Sequence, residues 1–327
     1  MSDSIPRGSV PRNSIPYLDG GRLAELLTPD EALRAVEGFF SSHAREAVEV
    51  PTRIHLRTPG PNTVGLYMPA ASDRYIGVKH VHLMPDRFPS VEAEVFLYDA
   101  ETGRLLFWGD GKPMTARRTA AVSTAASLRL MTRGRILTLF GAGVQAVAHA
   151  DAFAAAYPQL ERIWAVTRSG ESFSRLEAAL THPGAKACLK PCANLAEALG
   201  QSDGVITTTP AARPLFDGDD LHPAAHVVGV GSATHEMNEL PPNVFLQGRV
   251  WVDTPAALEE AGDFHAAIGA GWRPERLEGD LFDLLGGGAP SPGAQPREGA
   301  GRTVFKSVGH AAQDLAVLIR LWELMGE

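Results

Sequence analysis

Apolar residues recur along this chain in two styles, and the style changes near residue 135. From there to residue 265, short apolar runs alternate with helical patterns. The runs are RILTLF (135–140), RIWAVT (162–167), KACLK (186–190), GVITTT (204–209), HVVGV (226–230) and RVWVD (249–253). They are the short apolar stretches expected of parallel strands buried on both faces. Between the first two lies VQAVAHADAFAAAYP, a helix that Pro158 ends. The alternation predicts βαβ units and an α/β fold, a Rossmann-type doubly wound parallel sheet over residues 135–303.

Residues 14–134 read differently. In TPDEALRAVEGFFSSHAREA, Thr28 stands as N-cap, Pro29 at the first helical position and Glu31 three residues after the cap, a capping box. YIGVKHVHLM and SVEAEVFLYDAETGRLLFW are β-rich, and the second predicts a hairpin turning at DAETG. MTARRTAAVSTAASLRLM (114–131) is an alanine-rich helix with Thr115 as its N-cap. Together these predict a separate α+β domain. GGGAPSPGAQPREGAGR (286–302) is a Gly/Pro-rich loop long enough to act as a lid. SVGHAAQDLAVLIRLWELM is an amphipathic helix with Leu315, Leu318, Trp322 and Met325 on one stripe.

Composition narrows the classes. A chain of 327 residues with 44% hydrophobic and 21% charged residues suits two soluble domains. A net charge of −8 argues against a nucleic-acid surface and against any general pull on acidic ligands. No run approaches the roughly 20 apolar residues of a membrane span. MSDSIPRGSVPRNS has no apolar core, so it reads as a loose arm and not as a secretory signal. Cys188 and Cys192, in CLKPC, read as reduced thiols of a cytoplasmic protein.

LTLFGAGVQA sets Gly141, Gly143 and Ala146 as G-x-G-x-x-A between a strand and a helix. The first glycine makes the turn, the second lets a pyrophosphate approach the backbone, and the small third residue lets helix pack on strand. The helix N-terminus then faces the phosphates. Gly141, Ala142, Gly143, Val144 and Gln145 are therefore candidate cofactor contacts. The second strand ends in Thr167, Arg168 and Ser169 where NAD-binding versions carry an acidic residue. A guanidinium among small hydroxyls suits a 2′-phosphate, so NADPH is expected, with NADH as the alternative.

Arg117 and Arg118 open the helix at 114–131, where the helix dipole disfavours cations. Successive helical positions lie about 100° apart, so one arginine faces an internal site and the other solvent. An inward arginine beside free backbone N–H groups receives a carboxylate or phosphate. Arg53, in VPTRIHL, and Lys79, in IGVKHVHLM, are cations in apolar, strand-like settings. Desolvation or another cation lowers a lysine pKa, which suits acid–base chemistry. His80 and His82 share one face of a strand. No third ligand is evident, so they read as hydrogen-bonded histidines and no metal is expected. Glu92 and Glu94 read as one strand face, and Asp253 as a structural residue ending the sheet.

PTR (51–53), GVK (77–79), TARRTAA (115–121), GAGVQA (141–146), NEL (238–240) and VFKSVGHAAQDLA (304–316) follow one another at family-like intervals. In this the chain resembles the ornithine cyclodeaminase/mu-crystallin family over nearly its whole length. The resemblance implies a homodimer whose first domain, residues 14–134 plus 304–327, binds substrate and dimerises. It implies that Arg53, Lys79 and Arg118 form the substrate-carboxylate and catalytic group, with Arg118 inward and Arg117 solvated. It implies that Ser307 lies close to the nicotinamide and that Thr209, Gly231 and Ser232 are further cofactor contacts. Cyclodeaminases of the family carry an acid–base aspartate before the EL pair. Aligning on Glu239–Leu240 puts Ala233 there, and alanine transfers no proton. His235 or Glu236 would substitute only on a remodelled loop. The expectation is an NADPH-dependent reductase of a small cyclic imino acid such as 1-pyrroline-2-carboxylate. The alternatives are an NAD-dependent ornithine cyclodeaminase and a mu-crystallin-like NADPH and small-ligand binding protein.

Overall fold

A computed structural model describes residues 15–60, 62–87, 90–286 and 301–326. The N-terminal arm and nearly all of the 286–302 loop lie outside the described residues. The chain enters by β1 (Tyr17–Leu18), α1 (Gly20–Leu26) and α2 (Pro29–Ser42). Thr28 caps α2 as expected, its hydroxyl accepting from the Glu31 amide at 3.2 Å. The reciprocal half of the box is not made. The Glu31 carboxylate instead takes Arg34 and, from the far end of the chain, Arg320 at 2.7 Å.

Four antiparallel strands follow: β2 (Ile54–Arg57), β3 (Val64–Ala71), β4 (Tyr75–Leu83) and β5 (Val91–Asp99). After them comes β6 (Leu105–Asp110). Among the described residues these form a six-stranded sheet in the order β1-β6-β5-β4-β3-β2. The β5–β6 hairpin turns where predicted, with Gly103 at φ +68° and Asp99 accepting from the Thr102 amide at 2.7 Å.

The long helix α3 (Gly111–Leu130) starts one turn earlier than the sequence predicts. Asp110, not Thr115, is the cap and accepts from the Lys112 amide at 3.0 Å. Thr115 lies inside the helix and donates to the Gly111 carbonyl. A carboxylate at the cap outcompetes a hydroxyl one turn later, and Pro113 needs no amide partner in a first turn. Most of α3 is buried on every side by Ala, Ser and Thr, which lets neighbouring helices approach closely.

The second sheet is all parallel. In chain order come β7 (Ile136–Phe140), α4 (Val144–Ala156), β8 (Arg162–Val166), α5 (Gly170–Ala179), α6 (Pro183–Cys188), β9 (Leu189–Pro191), α7 (Leu195–Gln201) and β10 (Gly204–Thr207). Then follow β11 (His226–Gly229), α8 (Pro242–Gln247), β12 (Arg249–Val252), α9 (Ala257–Glu260), α10 (Gly262–Gly269), β13 (Leu277–Gly279), α11 (Leu281–Leu285), β14 (Thr303–Lys306) and α12 (Ala311–Leu324). The strand order is β13-β12-β14-β11-β10-β7-β8-β9. The order reverses between β7 and β10, the switch point where such sheets bind ligands beyond their strand ends.

Two expectations need correction. KACLK is mostly helix, because His182 caps α6 and Pro183 opens it, leaving only Leu189–Pro191 as an edge strand. β14 lies between β11 and β12, so residues 304–306 belong to the parallel sheet. The chain returns to the first sheet only with α12. There Gly77 of β4 lets the helix lie close, since a Cβ would stand 3.0 Å from Leu315 and 3.1 Å from Leu318. Each of those leucines is fully buried, which contributes about 1.5–3 kcal/mol apiece. No helix among the described residues is long and apolar enough to cross a membrane.

Candidate active site

The packing of α12 on β4 brings buried charges together. Asp314, in the first turn of α12, lies 2.8 Å from the Lys79 ammonium. The same carboxylate pairs with Arg118 Nε at 2.9 Å. Lys79 is 2% exposed and Arg118 4%. Burial pushes the Lys79 pKa down to about 8, helped by Arg118 and Arg53 and opposed by Asp314. Asp314 was not singled out in the sequence. Its signal is an acid one turn after Ala311 and one turn before Leu318, on the apolar stripe of the helix.

A chain of hydrogen bonds ties this group to the parallel sheet. Arg118 donates to Gln313 Oε1 at 2.6 Å, and Gln313 Nε2 donates to Asp253 at 3.0 Å. Asp253 also accepts from the Gly309 amide at 2.7 Å and the Ser307 hydroxyl at 2.8 Å. Asp253 is structural, as expected, and its work is to hold the 307–309 loop. The Ser307 hydroxyl spends its proton on that bond and keeps its oxygen lone pairs. Gly309 has φ +88°, and a Cβ there would meet Arg118 at 2.9 Å, so only glycine suits the position.

Arg53 reaches the same loop from before β2, donating to the Gly309 carbonyl at 2.7 Å. It also pairs with Glu260 of α9 at 3.0 Å. Burial raises the Glu260 pKa, while Arg53 lowers it. A cavity of about 110 Å³ opens beside them, lined by Met68, Arg53, Glu260 and His310 among others. Arg53 and Arg118 both reach Gly309, and Lys79 joins Arg118 through Asp314. They are not free: Asp314 and Glu260 answer them. A guanidinium lining a cavity, as Arg53 does, is the kind of group that receives an organic anion.

Arg117 departs from expectation. It is not solvated but donates to the carbonyls of Ala24 and Leu27 at the end of α1. A cation there complements the negative end of that helix. Both arginines sit in the second turn of α3, so the conflict with its own dipole is weaker than their predicted place in a first turn implies.

The dinucleotide loop has the predicted form. Gly141 is at φ +119°, with Thr208 Oγ1 2.6 Å from where a Cβ would be. A Cβ on Gly143 would meet nothing within 4 Å, and no side chain caps α4. The first amides of α4 therefore face an approach open to a phosphate. A cleft of about 530 Å³ runs from Gly141, Ala142 and Gly143 past Thr167 and Arg168 to Thr208 and Thr209. These features fit a dinucleotide. Val144 is exposed, while the Gln145 side-chain oxygen is buried with no hydrogen-bond partner among the described residues. Ser169 caps α5. Arg175, on α5, also lines the cleft and donates to Ser172, a second guanidinium the sequence reading missed.

Glu239 gathers the amides of Thr209, Gly231 and Ser232, which donate to it at 2.6, 2.6 and 3.2 Å, and the Thr209 hydroxyl does so at 2.8 Å. The Ser232 hydroxyl donates to the Met237 carbonyl. Thr209 still lines the cleft. Glu239 is fully buried and staples the ends of β10 and β11. Ala233 is half-buried, and His235 and Glu236 are exposed on its loop. His235 packs against His265 at 4.4 Å between ring centres.

Comparison with known proteins agrees with this architecture. The chain is 36% identical over 231 residues to ketimine reductase mu-crystallin of Mus musculus, covering 69% of this chain and 67% of that protein. It is 32% identical over 312 residues to a Delta(1)-pyrroline-2-carboxylate/Delta(1)-piperideine-2-carboxylate reductase of Azospirillum brasilense, covering 92% and 93%. The structure of Thermococcus litoralis Delta(1)-pyrroline-2-carboxylate reductase, in complex with NADH and L-proline, superposes with a TM-score of 0.81. That match is at 25% identity and covers 94% and 96%. The sequence pattern of the ornithine cyclodeaminase/mu-crystallin family matches residues 21–326. The chain belongs to the ornithine cyclodeaminase/mu-crystallin family.

Proposed function

We propose that this chain is an NADPH-dependent reductase of a small cyclic imino acid, of the 1-pyrroline-2-carboxylate type. The observation that carries the reading is the buried Lys79 ammonium, held near pKa 8 beside Asp314 and Arg118. Relatives named as reductases of pyrroline carboxylates and ketimines support it. When bound, the reduced nicotinamide supplies hydride to the carbon of the C=N bond. Arg53 holds the substrate carboxylate. Lys79 gives its proton to the imine nitrogen, so one hydride and one proton convert C=N to CH–NH. A donor with a pKa near 8 is mostly protonated at pH 7 yet gives up its proton readily. Asp314 holds the ammonium in position, and Arg118 fixes Asp314.

The glycine turn and α4 cradle the pyrophosphate, and Arg168 with Arg175 receives the 2′-phosphate. From the 307–309 loop to the glycine turn is three strand spacings, roughly 14 Å, which an extended dinucleotide bridges. Ala233 argues against a cyclodeaminase, because alanine transfers no proton at the position where the family's cyclodeaminases carry their aspartate. The first sheet with α12 is the substrate and dimerisation domain. Its outer face exposes Ile54, Leu56, Ile76 and Trp108, an apolar surface that suits a second copy of the chain. A cytoplasmic place fits its two free thiols.

The test is a spectrophotometric screen of NADPH and NADH oxidation with cyclic imino acids, and with keto acids plus amines. Oxidation of NADPH by 1-pyrroline-2-carboxylate, lost in Lys79→Ala with cofactor binding intact, is the expected result. Ammonia release from ornithine without net cofactor consumption would replace the reading.

A further inference from the structure

His80 and His82 share the outer face of β4, opposite to the face that carries Lys79. The fold provides what the sequence reading lacked, a third donor. Glu94 of β5 stands directly across the antiparallel ladder from His80. His80 Nδ1 lies 3.6 Å from Glu94 Oε2. The two imidazole rings are 4.1 Å apart between centres and nearly perpendicular. One nitrogen from each ring and one Glu94 oxygen all lie within 4.8 Å of one another.

The surroundings prepare the cluster. Tyr67, paired with His80 across β3, stacks on its ring at 4.3 Å and sets the ring plane. Gly65 stands opposite His82, and a Cβ there would reach within 3.8 Å of His80 Nε2 and of the His82 ring. Glycine leaves that space open. His80 Nε2 is buried with no hydrogen-bond partner among the described residues, a cost that asks for a reason. Glu92, across from His82, is taken by Lys112 at 2.6 Å.

We propose that His80, His82 and Glu94 bind one zinc ion per chain on the outer face of the first sheet. Two neutral imidazoles and a carboxylate form a donor set zinc accepts, with bonds of about 2.0–2.2 Å. Calcium and magnesium favour oxygen alone. All three side chains are partly exposed, so small torsional changes draw the donors onto the ion. The site shares its face with Ile54 and Leu56, so in a dimer built on that face the ion, with water in its fourth position, lies at the interface. The ion clips β4 to β5 and takes no part in imine reduction, so the proposal is independent of the reductase reading.

The experiment is equilibrium dialysis of the chelator-treated full chain against micromolar zinc, with bound metal measured by elemental analysis. The expected result is about one zinc per chain in the wild type, near none in His82→Ala and in Glu94→Gln, and about one in Cys188→Ser/Cys192→Ser. Cobalt(II) in place of zinc should give ligand-field bands without a sulfur charge-transfer band. Circular dichroism checks that each variant is folded, and Glu94→Gln leaves the imidazoles and the core untouched. Absence of zinc in the wild type overturns the proposal. So does retention by both folded ligand variants, or loss in the cysteine variant.

Discussion

Lys79 and Asp314 meet across the seam between β4 and α12, 2.8 Å apart and each about 2% exposed. They lie 235 positions apart in the chain. Breaking a buried pair by removing one partner costs about 3–5 kcal/mol, because the other charge is left uncompensated. The pair therefore couples the closing of the last helix onto the first sheet to the chemistry of the site.

The pH dependence follows from this pair. Turnover that needs protonated Lys79 falls as pH rises through about 8. Asp314→Asn removes the group that raises the lysine pKa, so the basic limb of kcat/KM should move to lower pH. A pH–rate profile of wild type and variant checks both, and an unmoved limb assigns the proton to another group. Linkage adds a sign for stability. The folded pKa lies below the unfolded value of 10.5, so between about pH 8 and 10.5 the unfolded chain binds more protons. This group's contribution to stability rises with pH in that window. Urea titrations of wild type and Lys79→Met across that range should diverge accordingly.

Arg53→Met should raise KM for the imino acid about 10–100-fold, the value of a charge-assisted hydrogen bond of about 1.5–3 kcal/mol. kcat should change only a few-fold, since the proton donor remains. Steady-state kinetics separate the two effects. A fall in kcat with KM unchanged would remove Arg53 from substrate binding.

Glu260 competes with a substrate carboxylate for Arg53, at 3.0 Å. Glu260→Gln keeps the shape and drops the charge, so KM should fall several-fold while kcat holds. A KM that rises instead would make Glu260 a substrate contact.

Arg168 and Arg175 flank the cleft, whose named lining residues include no acid; Glu171 pairs with Arg175 at 3.8 Å from the exposed side of α5. Arg168→Ser with Arg175→Ser should raise the KM for NADPH about tenfold or more and leave that for NADH within a few-fold. The ratio of the two values is the measurement. Equal loss for both cofactors would point to damage at the glycine turn.

Arg117→Met should destabilise the fold by about 1–3 kcal/mol, since it frees two carbonyls at the end of α1. Urea denaturation reads the loss. KM for substrate should hold, because Arg118 is the arginine on the site side of α3.

The local features were legible because they are written in neighbouring residues. The G-x-G-x-x-A turn, the β5–β6 hairpin, the Thr28 cap and the strands β7, β8, β10, β11 and β12 each depend on spacing within a few positions. The cations Arg53, Lys79 and Arg118 stood out for the same reason, as charges in apolar settings. Helix starts were harder where two caps competed, as at Asp110 and Thr115.

Tertiary structure alone decided which charges answer one another. Asp314, Glu260 and Glu94 acquire their meaning from partners on other elements, and no local pattern encodes that distance. The place of β14 inside the parallel sheet was decided the same way, by which strand edges remained for it to pair. The staple that Glu239 makes of Thr209, Gly231 and Ser232 is another such long-range partnership. Sequence determines a buried polar group's need for a partner, whereas packing determines the partner, because desolvation is local and its compensation is not.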